Sequence, residues 1–217
     1  AAAVEKPLLT ALPRLLRKLF VPACLLLVAN LLNSMSMLCS GYTLTYVVKG
    51  LIPLFTVILC RIRGQEFDGS IYISLLPICF GVGLASVTDI EFDPLGFFCA
   101  LGSTLSQTML NISSKERIHA LGLSGMEAFF VMATLCAAMS APLLVLSYLQ
   151  ADGLVATVYG NREYPWLQVV LMTALAYHVE YTLNFLFVAL CSPLAFSVTD
   201  IVRRLATICC KHLLFAK

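Results

Sequence analysis

A lysine stands near the middle of an apolar run. The run, SGYTLTYVVKGLIPLFTVILCRI, covers residues 40–62, and its lysine is Lys49. A charge at the centre of a bilayer costs about 2.5–3.5 kcal/mol on insertion scales, so such residues usually face a cavity. In a helix that starts at residue 41, Lys49 lies roughly 13 Å deep, which is further than a lysine stem reaches toward the headgroups. We therefore predict that Lys49 faces a cavity and binds an anion, and we prefer this to a lysine that snorkels.

Two residues near Lys49 favour such a cavity. Thr45 lies four residues before it and Pro53 four residues after it, so both fall on or near its face of a helix. Proline has no N–H, which frees a backbone carbonyl one turn earlier. The pattern predicts a bent helix with polar backbone exposed beside the lysine, although proline kinks are common in membrane helices.

A second charged group lies in FSVTDIVRRLA, residues 196–206. Asp200 precedes Arg203 by three residues and Arg204 by four, so either arginine can pair with the carboxylate on one helix face. One interpretation is an ion pair that neutralises itself between packed helices. Two arginines against one aspartate still leave an excess positive charge, so we favour a cationic site for an anion.

His178 and Glu180 are two residues apart, which places them about 200° apart around a helix. They are therefore not expected to act as an acid and base pair. A buried Glu180 carboxylate paired with one of the cations is the simpler account.

Motifs of enzymes and metal sites are absent from the sequence. It contains no HExxH, no GxSxG and no P-loop. The nine cysteines fall mostly in apolar runs without metal-type spacing, and we interpret them as small core residues. We expect no enzymatic activity, no metal and no cofactor.

Composition identifies the class of protein. Of the 217 residues, 60% are hydrophobic and 12% are charged, whereas soluble domains have about 25% charged residues. Continuous apolar runs of about 20 residues predict membrane-spanning helices and not a barrel. The predicted fold is an all-α membrane protein of one domain, with about seven spans at 18–38, 41–62, 70–88, 94–115, 124–149, 165–190 and 193–215.

Positive charge is concentrated on one side of the predicted membrane. That side holds the N-terminus and the residues Lys6, Arg14, Arg17, Lys18, Arg61, Arg63, Lys115 and Arg117. Because Lys and Arg favour the cytoplasmic side, we predict that the N-terminus lies in the cytosol or its organellar equivalent.

Four segments carry a family resemblance. SGYTLTYVVKGLIPLF resembles the Ser-Tyr-Thr…Val-Lys-Ala-Leu-x-Pro-Leu-Phe segment of the triose-phosphate translocator family, within the drug/metabolite transporter superfamily. YISLLPICFGVGLASVTDIEFDPLGFFCAL is similar to the family's following segment, NISSKERI to its Asn-Ile-x-Ser-Lys-Lys, and SPLAFSVTDIVRR to its Ser-Pro…Ser-Val-Gly-Asn…Lys-Arg. The resemblance covers nearly the whole chain. It implies one sugar phosphate transporter domain over residues 1–217, part of a ten-helix carrier of two inverted halves, with the first two helices and the last helix missing.

The resemblance also implies a binding site. In sugar-phosphate members, a lysine of the fourth helix and a Lys-Arg pair of the ninth hold the phosphate, and these correspond to Lys49, Arg203 and Arg204. The surroundings differ, because Asp200 stands where the family has Asn and Glu180 where it has Tyr. Further candidates for contact with the substrate are Asn33, Thr45, Glu180, Tyr181 and Asp200.

The implied function is a multi-pass antiporter that exchanges an organic phosphate, such as a sugar phosphate or phosphoenolpyruvate, for inorganic phosphate or another anion. Two alternatives stay open: a nucleotide-sugar transporter of the Golgi or endoplasmic reticulum, and a truncated membrane paralogue without transport. For the antiporter of organic phosphates, the expected location is the plastid inner envelope. The expected partners are a small phosphorylated anion and the lipid bilayer, with monomer and homodimer both open. A net charge of +2 without a basic tract argues against nucleic acid.

Overall fold

The computed structural model describes residues 8–88, 92–150 and 166–215, and within these ranges each regular element is a helix. Hydropathy therefore predicted the all-α class correctly. In chain order the elements are α1 (Leu8–Val48), a short 3-10 turn (Lys49–Leu51), α2 (Ile52–Ile62), α3 (Gly69–Thr88), α4 (Pro94–Leu121), α5 (Gly125–Gln150), α6 (Trp166–Leu190) and α7 (Pro193–Phe215).

Two helices extend beyond their predicted spans. Helix α1 begins at Leu8 and not at residue 18, and α4 ends at Leu121 and not at residue 115. The predicted limits marked the apolar stretch, whereas a helix continues for as long as its backbone bonds form. The extra turns of α4 carry charged side chains, which hydropathy excludes from a span.

Helix α1 bends at Gly41, where the sequence predicted the first turn. Gly41 has φ 72° and ψ 176°, a conformation that a residue with a Cβ rarely adopts. Ser36 Oγ and Thr45 Oγ1 lie 2.8 Å apart across the bend, although nine residues of straight helix span roughly 13 Å. The arm after Gly41 therefore folds back toward the arm before it, and the prediction of a turn at residues 39–41 is confirmed.

Three segments of the described residues are long and apolar enough to cross a membrane: Leu15–Ile62, Gly69–Thr88 and Gly125–Pro142. The first has 48 residues, more than twice the length needed for a hydrocarbon core about 30 Å thick. It therefore has room for two crossings, one before the Gly41 bend and one after it. The predicted total of seven crossings stays a prediction.

Many large apolar side chains are exposed, whereas a few charged side chains are buried. Leu38 and Leu190 are 81% and 83% exposed, whereas Lys49 and Asp200 are each 6% exposed. This pattern is expected of helices whose outer surface contacts lipid. It also corrects the interpretation of the cysteines as core residues: of the nine, only Cys60 is buried, and the others are partly or fully exposed.

The chain divides into two compact units. The first consists of Ala1–Ala23 and Arg117–Leu190, and the second of Cys24–Glu116 and Cys191–Lys217. In the first unit α5 packs on α6, where the Phe129 ring lies 5.2 Å from the ring of His178. In the second unit a core of Leu44, Val48, Val82 and Ala100 joins the second arm of α1 to α3 and α4.

A close approach of α1 and α4 depends on Gly96. A Cβ added at Gly96 would lie 1.9 Å from Ser40 Oγ and 2.8 Å from Ser40 Cβ, so the two helices would have to separate. We expect Gly96→Ala to lower the free energy of unfolding by about 1–3 kcal/mol. The matched control is Gly83→Ala, since no atom lies within 4 Å of its Cβ position and alanine favours a helix by about 0.5–1 kcal/mol. Thermal unfolding in detergent should show a lower Tm for the first variant and an equal or higher Tm for the second. Equal Tm values for both would refute the close contact.

Candidate functional site

Lys49 is positioned by the 3-10 turn that it begins. In an α-helix its carbonyl would accept a bond from the N–H of residue 53, but Pro53 has none. The N–H of Ile52 donates to Lys49 O instead, which tightens this segment to 3-10 geometry. The prediction of an exposed carbonyl beside the lysine is therefore wrong for Lys49 itself. The Ile52 amide replaces the hydrogen bond that Pro53 cannot donate.

The ring of Tyr46 lies against two cations. Lys49 Nζ is 5.9 Å from the ring centroid, and Arg204 Cζ is 5.3 Å from the same centroid. Both distances fall within the range of about 6 Å over which an aromatic face attracts a cation. Tyr46 therefore brings together Lys49 of the 3-10 turn and Arg204 of α7, although the two are far apart in the sequence.

Asp200 binds both arginines at once. Its Oδ1 accepts hydrogen bonds from Arg203 Nε at 3.1 Å and from Arg203 Nη2 at 2.8 Å. Its Oδ2 accepts one from Arg204 Nε at 2.8 Å. The predicted pairing within α7 is present, and Asp200 pairs with both arginines at the same time.

The two arginines differ in exposure, as residues about 100° apart on a helix should. The side chain of Arg204 is 9% exposed, whereas that of Arg203 is 38% exposed. Arg204 therefore faces the interior of the second unit beside Tyr46, and Arg203 approaches its surface.

Neighbouring hydroxyl groups join the two elements that carry the cations. Thr56 Oγ1 of α2 and Ser197 Oγ of α7 lie 2.8 Å apart in a buried hydrogen bond. Thr56 is one turn after the 3-10 turn, and Ser197 is three residues before Asp200. This bond fixes the beginning of α7 against α2 and so helps to hold Arg204 near Lys49.

The chemistry of this arrangement suits a doubly charged anion. Lys49, Arg203 and Arg204 contribute three positive charges and Asp200 one negative charge, a sum of +2. A phosphate monoester carries about −1.5 to −2 at pH 7. Arginine can bind phosphate oxygens through two parallel hydrogen bonds, and lysine adds a compact point charge.

The remaining predicted residues are distributed over both units. Thr45 is fully buried, and its hydroxyl donates to Gly41 O at 2.7 Å at the bend. Asn33 Nδ2 contacts Met37 Sδ at 3.8 Å, while its buried Oδ1 has no hydrogen-bond partner among the described residues. Glu180 and Tyr181 lie on α6, in the first unit. A role for these residues in binding stays a prediction.

Sequence reasoning missed Tyr46. The signal was an aromatic residue three positions before a buried lysine, a spacing that places both on one side of a helix. We expect Tyr46→Leu to weaken the binding of inorganic phosphate severalfold, because each cation loses a contact of about 0.5–2 kcal/mol. Tyr46→Phe keeps the aromatic face and should bind phosphate like the native protein in the same equilibrium measurement. Equal impairment of both variants would mean that the hydroxyl group matters and the ring does not.

Comparison with known proteins gives consistent matches along the chain. The sequence profile of the Triose-phosphate Transporter family matches residues 3–217. Glucose-6-phosphate/phosphate translocator 1, chloroplastic, of Arabidopsis thaliana is 27% identical over 206 residues, which cover 92% of this chain and 52% of the relative. Phosphoenolpyruvate/phosphate translocator 2, chloroplastic, of Arabidopsis thaliana is 28% identical over 196 residues, which cover 86% of this chain and 50% of the relative.

A third relative is the Triose phosphate/phosphate translocator, non-green plastid, chloroplastic, of Brassica oleracea var. botrytis. It is 27% identical over 191 residues, which cover 82% of this chain and 46% of the relative. The chain spans about half the length of the curated relatives it matches.

Proposed function

Because the chain belongs to the triose-phosphate transporter family, we propose that it carries a phosphorylated organic anion across a membrane in exchange for inorganic phosphate or another anion. The observation that carries the proposal is the shared contact of the buried Lys49 and Arg204 with the Tyr46 ring. Buried cations at membrane depth are costly unless they have a function. A transported phosphate would explain why they are retained.

Phosphate is the group that the names of the relatives share. These names also mention glucose 6-phosphate, phosphoenolpyruvate and triose phosphate, which differ in their organic part. We therefore propose phosphate as the recognised group. The buried Oδ1 of Asn33 is a candidate acceptor for a substrate hydroxyl, because a buried acceptor without a donor costs about 1–3 kcal/mol and a hydroxyl would supply that donor.

The proposed mechanism is alternating access controlled by charge. When the site is empty, its cations repel one another strongly at low dielectric. A bound dianion offsets that repulsion and favours the occluded conformation through which the carrier reorients. Exchange follows because the loaded carrier reorients faster than the empty one. The names of the relatives support a plastid membrane as the location.

The test is uptake into liposomes that contain the purified natural full-length protein. Vesicles are loaded with inorganic phosphate, and radiolabelled glucose 6-phosphate, triose phosphate, phosphoenolpyruvate and nucleotide sugars are offered outside one at a time. We expect uptake of at least one of these compounds, abolished when unlabelled inorganic phosphate is added outside in large excess. Uptake of nucleotide sugars alone would reassign the substrate. No uptake of any phosphorylated compound would refute the carrier function and favour a membrane protein without transport.

A further inference from the structure

The Asp200 carboxylate occupies the position that an anion would take between the two arginines. It accepts three hydrogen bonds, at 3.1 and 2.8 Å from Arg203 and at 2.8 Å from Arg204, and it is 6% exposed. These are the contacts that arginines make with phosphate oxygens. The protein therefore holds, within the candidate site, a charged group that imitates part of the substrate.

This carboxylate changes the electrostatics of the empty site. Arg203 and Arg204 are adjacent and repel each other, and each is attracted to a different oxygen of Asp200. With Asp200 the three cations and the carboxylate sum to +2, whereas an uncharged side chain at this position would leave +3. The arginines are thus held together before any substrate arrives.

We propose that Asp200 acts as a built-in counter-ion that allows the empty carrier to reorient, so that the protein also performs net uniport of its anion in addition to exchange. The inference rests on the proposed function. It extends that function because exchange alone requires an empty carrier that cannot cross. When the substrate leaves, the carboxylate retains both arginines, and the repulsion that would block the return is smaller.

Two consequences follow from the same contacts. An incoming phosphate competes with Asp200 for the arginine N–H groups, so native affinity is lower than that of a site without the carboxylate. Net uniport also moves charge, since a dianion crosses and nothing returns in exchange. A membrane potential that is positive inside the vesicle should therefore accelerate net uptake, whereas exchange of one phosphate for another should respond much less.

The experiment compares two rates of inorganic phosphate uptake in the same reconstituted protein. Exchange is measured with phosphate inside the vesicles, and net uptake with an inert buffer inside and a potential set by a potassium gradient and an ionophore. For the native protein we expect net uptake at about one tenth of the exchange rate or more. For Asp200→Asn we expect the ratio of net uptake to exchange to fall about tenfold, together with a lower KM for phosphate.

Two controls separate charge from folding. Asp200→Glu retains a carboxylate and should retain net uptake, and Asp68→Asn removes an exposed carboxylate outside the candidate site and should leave the ratio unchanged. Two results would overturn the inference but leave the proposed exchange function intact. One is native protein that exchanges phosphate without net uptake, and the other is an unchanged ratio of net uptake to exchange in a folded Asp200→Asn variant. The absence of exchange itself would instead refute the proposed function. Should Asp200→Asn fail to fold, the native protein and Asp200→Glu remain as tests, and the absence of potential-dependent net uptake in either of them would overturn the inference.

Discussion

Lys49→Ala is expected to abolish phosphate exchange in a protein that stays folded. Lys49 is 6% exposed, and its ammonium group lies over the Tyr46 ring, which the Arg204 guanidinium also contacts. A hydrogen bond from a charged donor contributes about 1.5–3 kcal/mol, and loss of the charge also weakens the attraction of the site for a dianion. We expect the ratio kcat/KM to fall by about 100-fold or more. The free energy of unfolding should change by less than the activation free energy of exchange, since removing one of three neighbouring cations relieves repulsion.

The measurement is exchange uptake alongside thermal unfolding of the same preparation. Lys18→Ala is the matched control, because it removes a lysine at an exposed position of α1, outside the candidate site. Lys49→Arg keeps the charge and should retain part of the activity, reduced by its different shape. Native exchange in the alanine variant would refute the assignment of Lys49 to the substrate.

Arg204→Ala is expected to reduce both transport and stability. Its Nε donates to Asp200 Oδ2, and both residues are buried. Removing one partner of a buried ion pair costs about 3–5 kcal/mol, because the other charge is left without compensation. Here the cost should lie toward the lower end, since Arg203 still binds Oδ1. Exchange should be lost, because the guanidinium beside Tyr46 is a proposed phosphate contact.

A double variant separates the two effects. Combining Arg204→Ala with Asp200→Asn removes the carboxylate whose Oδ2 has lost its arginine, and should recover most of the lost stability while exchange stays absent. Arg63→Ala is the control for loss of an arginine, because Arg63 pairs with Glu116 at an exposed position and such pairs contribute about 0–1 kcal/mol. Stability effects that simply add in the double variant would contradict a direct interaction between Arg204 and Asp200.

Much of the helical architecture could be predicted because its causes are local. Apolar runs predicted the membrane helices, and the small residues at 39–41 predicted the turn that Gly41 makes. The ends of α1 and α4 were predicted less well, since backbone hydrogen bonds continue into charged turns that hydropathy excludes. The hydrogen bond from the Ile52 amide to the Lys49 carbonyl was also not predicted. Proline removes one hydrogen bond, but the sequence does not specify which neighbouring N–H replaces it.

The candidate site was predictable in part for the same reason. The pairing of Asp200 with Arg203 and Arg204 lies within four residues of one helix, so spacing alone predicted it. Tyr46 was not predicted, because its contact with Arg204 joins residues 158 positions apart. Nothing in a local pattern states which faces of two distant helices meet.

By itself, the sequence determined that this protein is helical, that it belongs in a membrane and that it carries cations where lipid would reject them. Composition and spacing are sufficient for those conclusions, because they follow from the cost of burying charge and from the period of the helix. Only the tertiary structure decided that Lys49 and Arg204 share one aromatic ring and that Asp200 binds both arginines at once. Those facts depend on how α7 packs against α2 and the 3-10 turn, and packing of distant segments is set by the fitting of whole surfaces and not by any one stretch of residues.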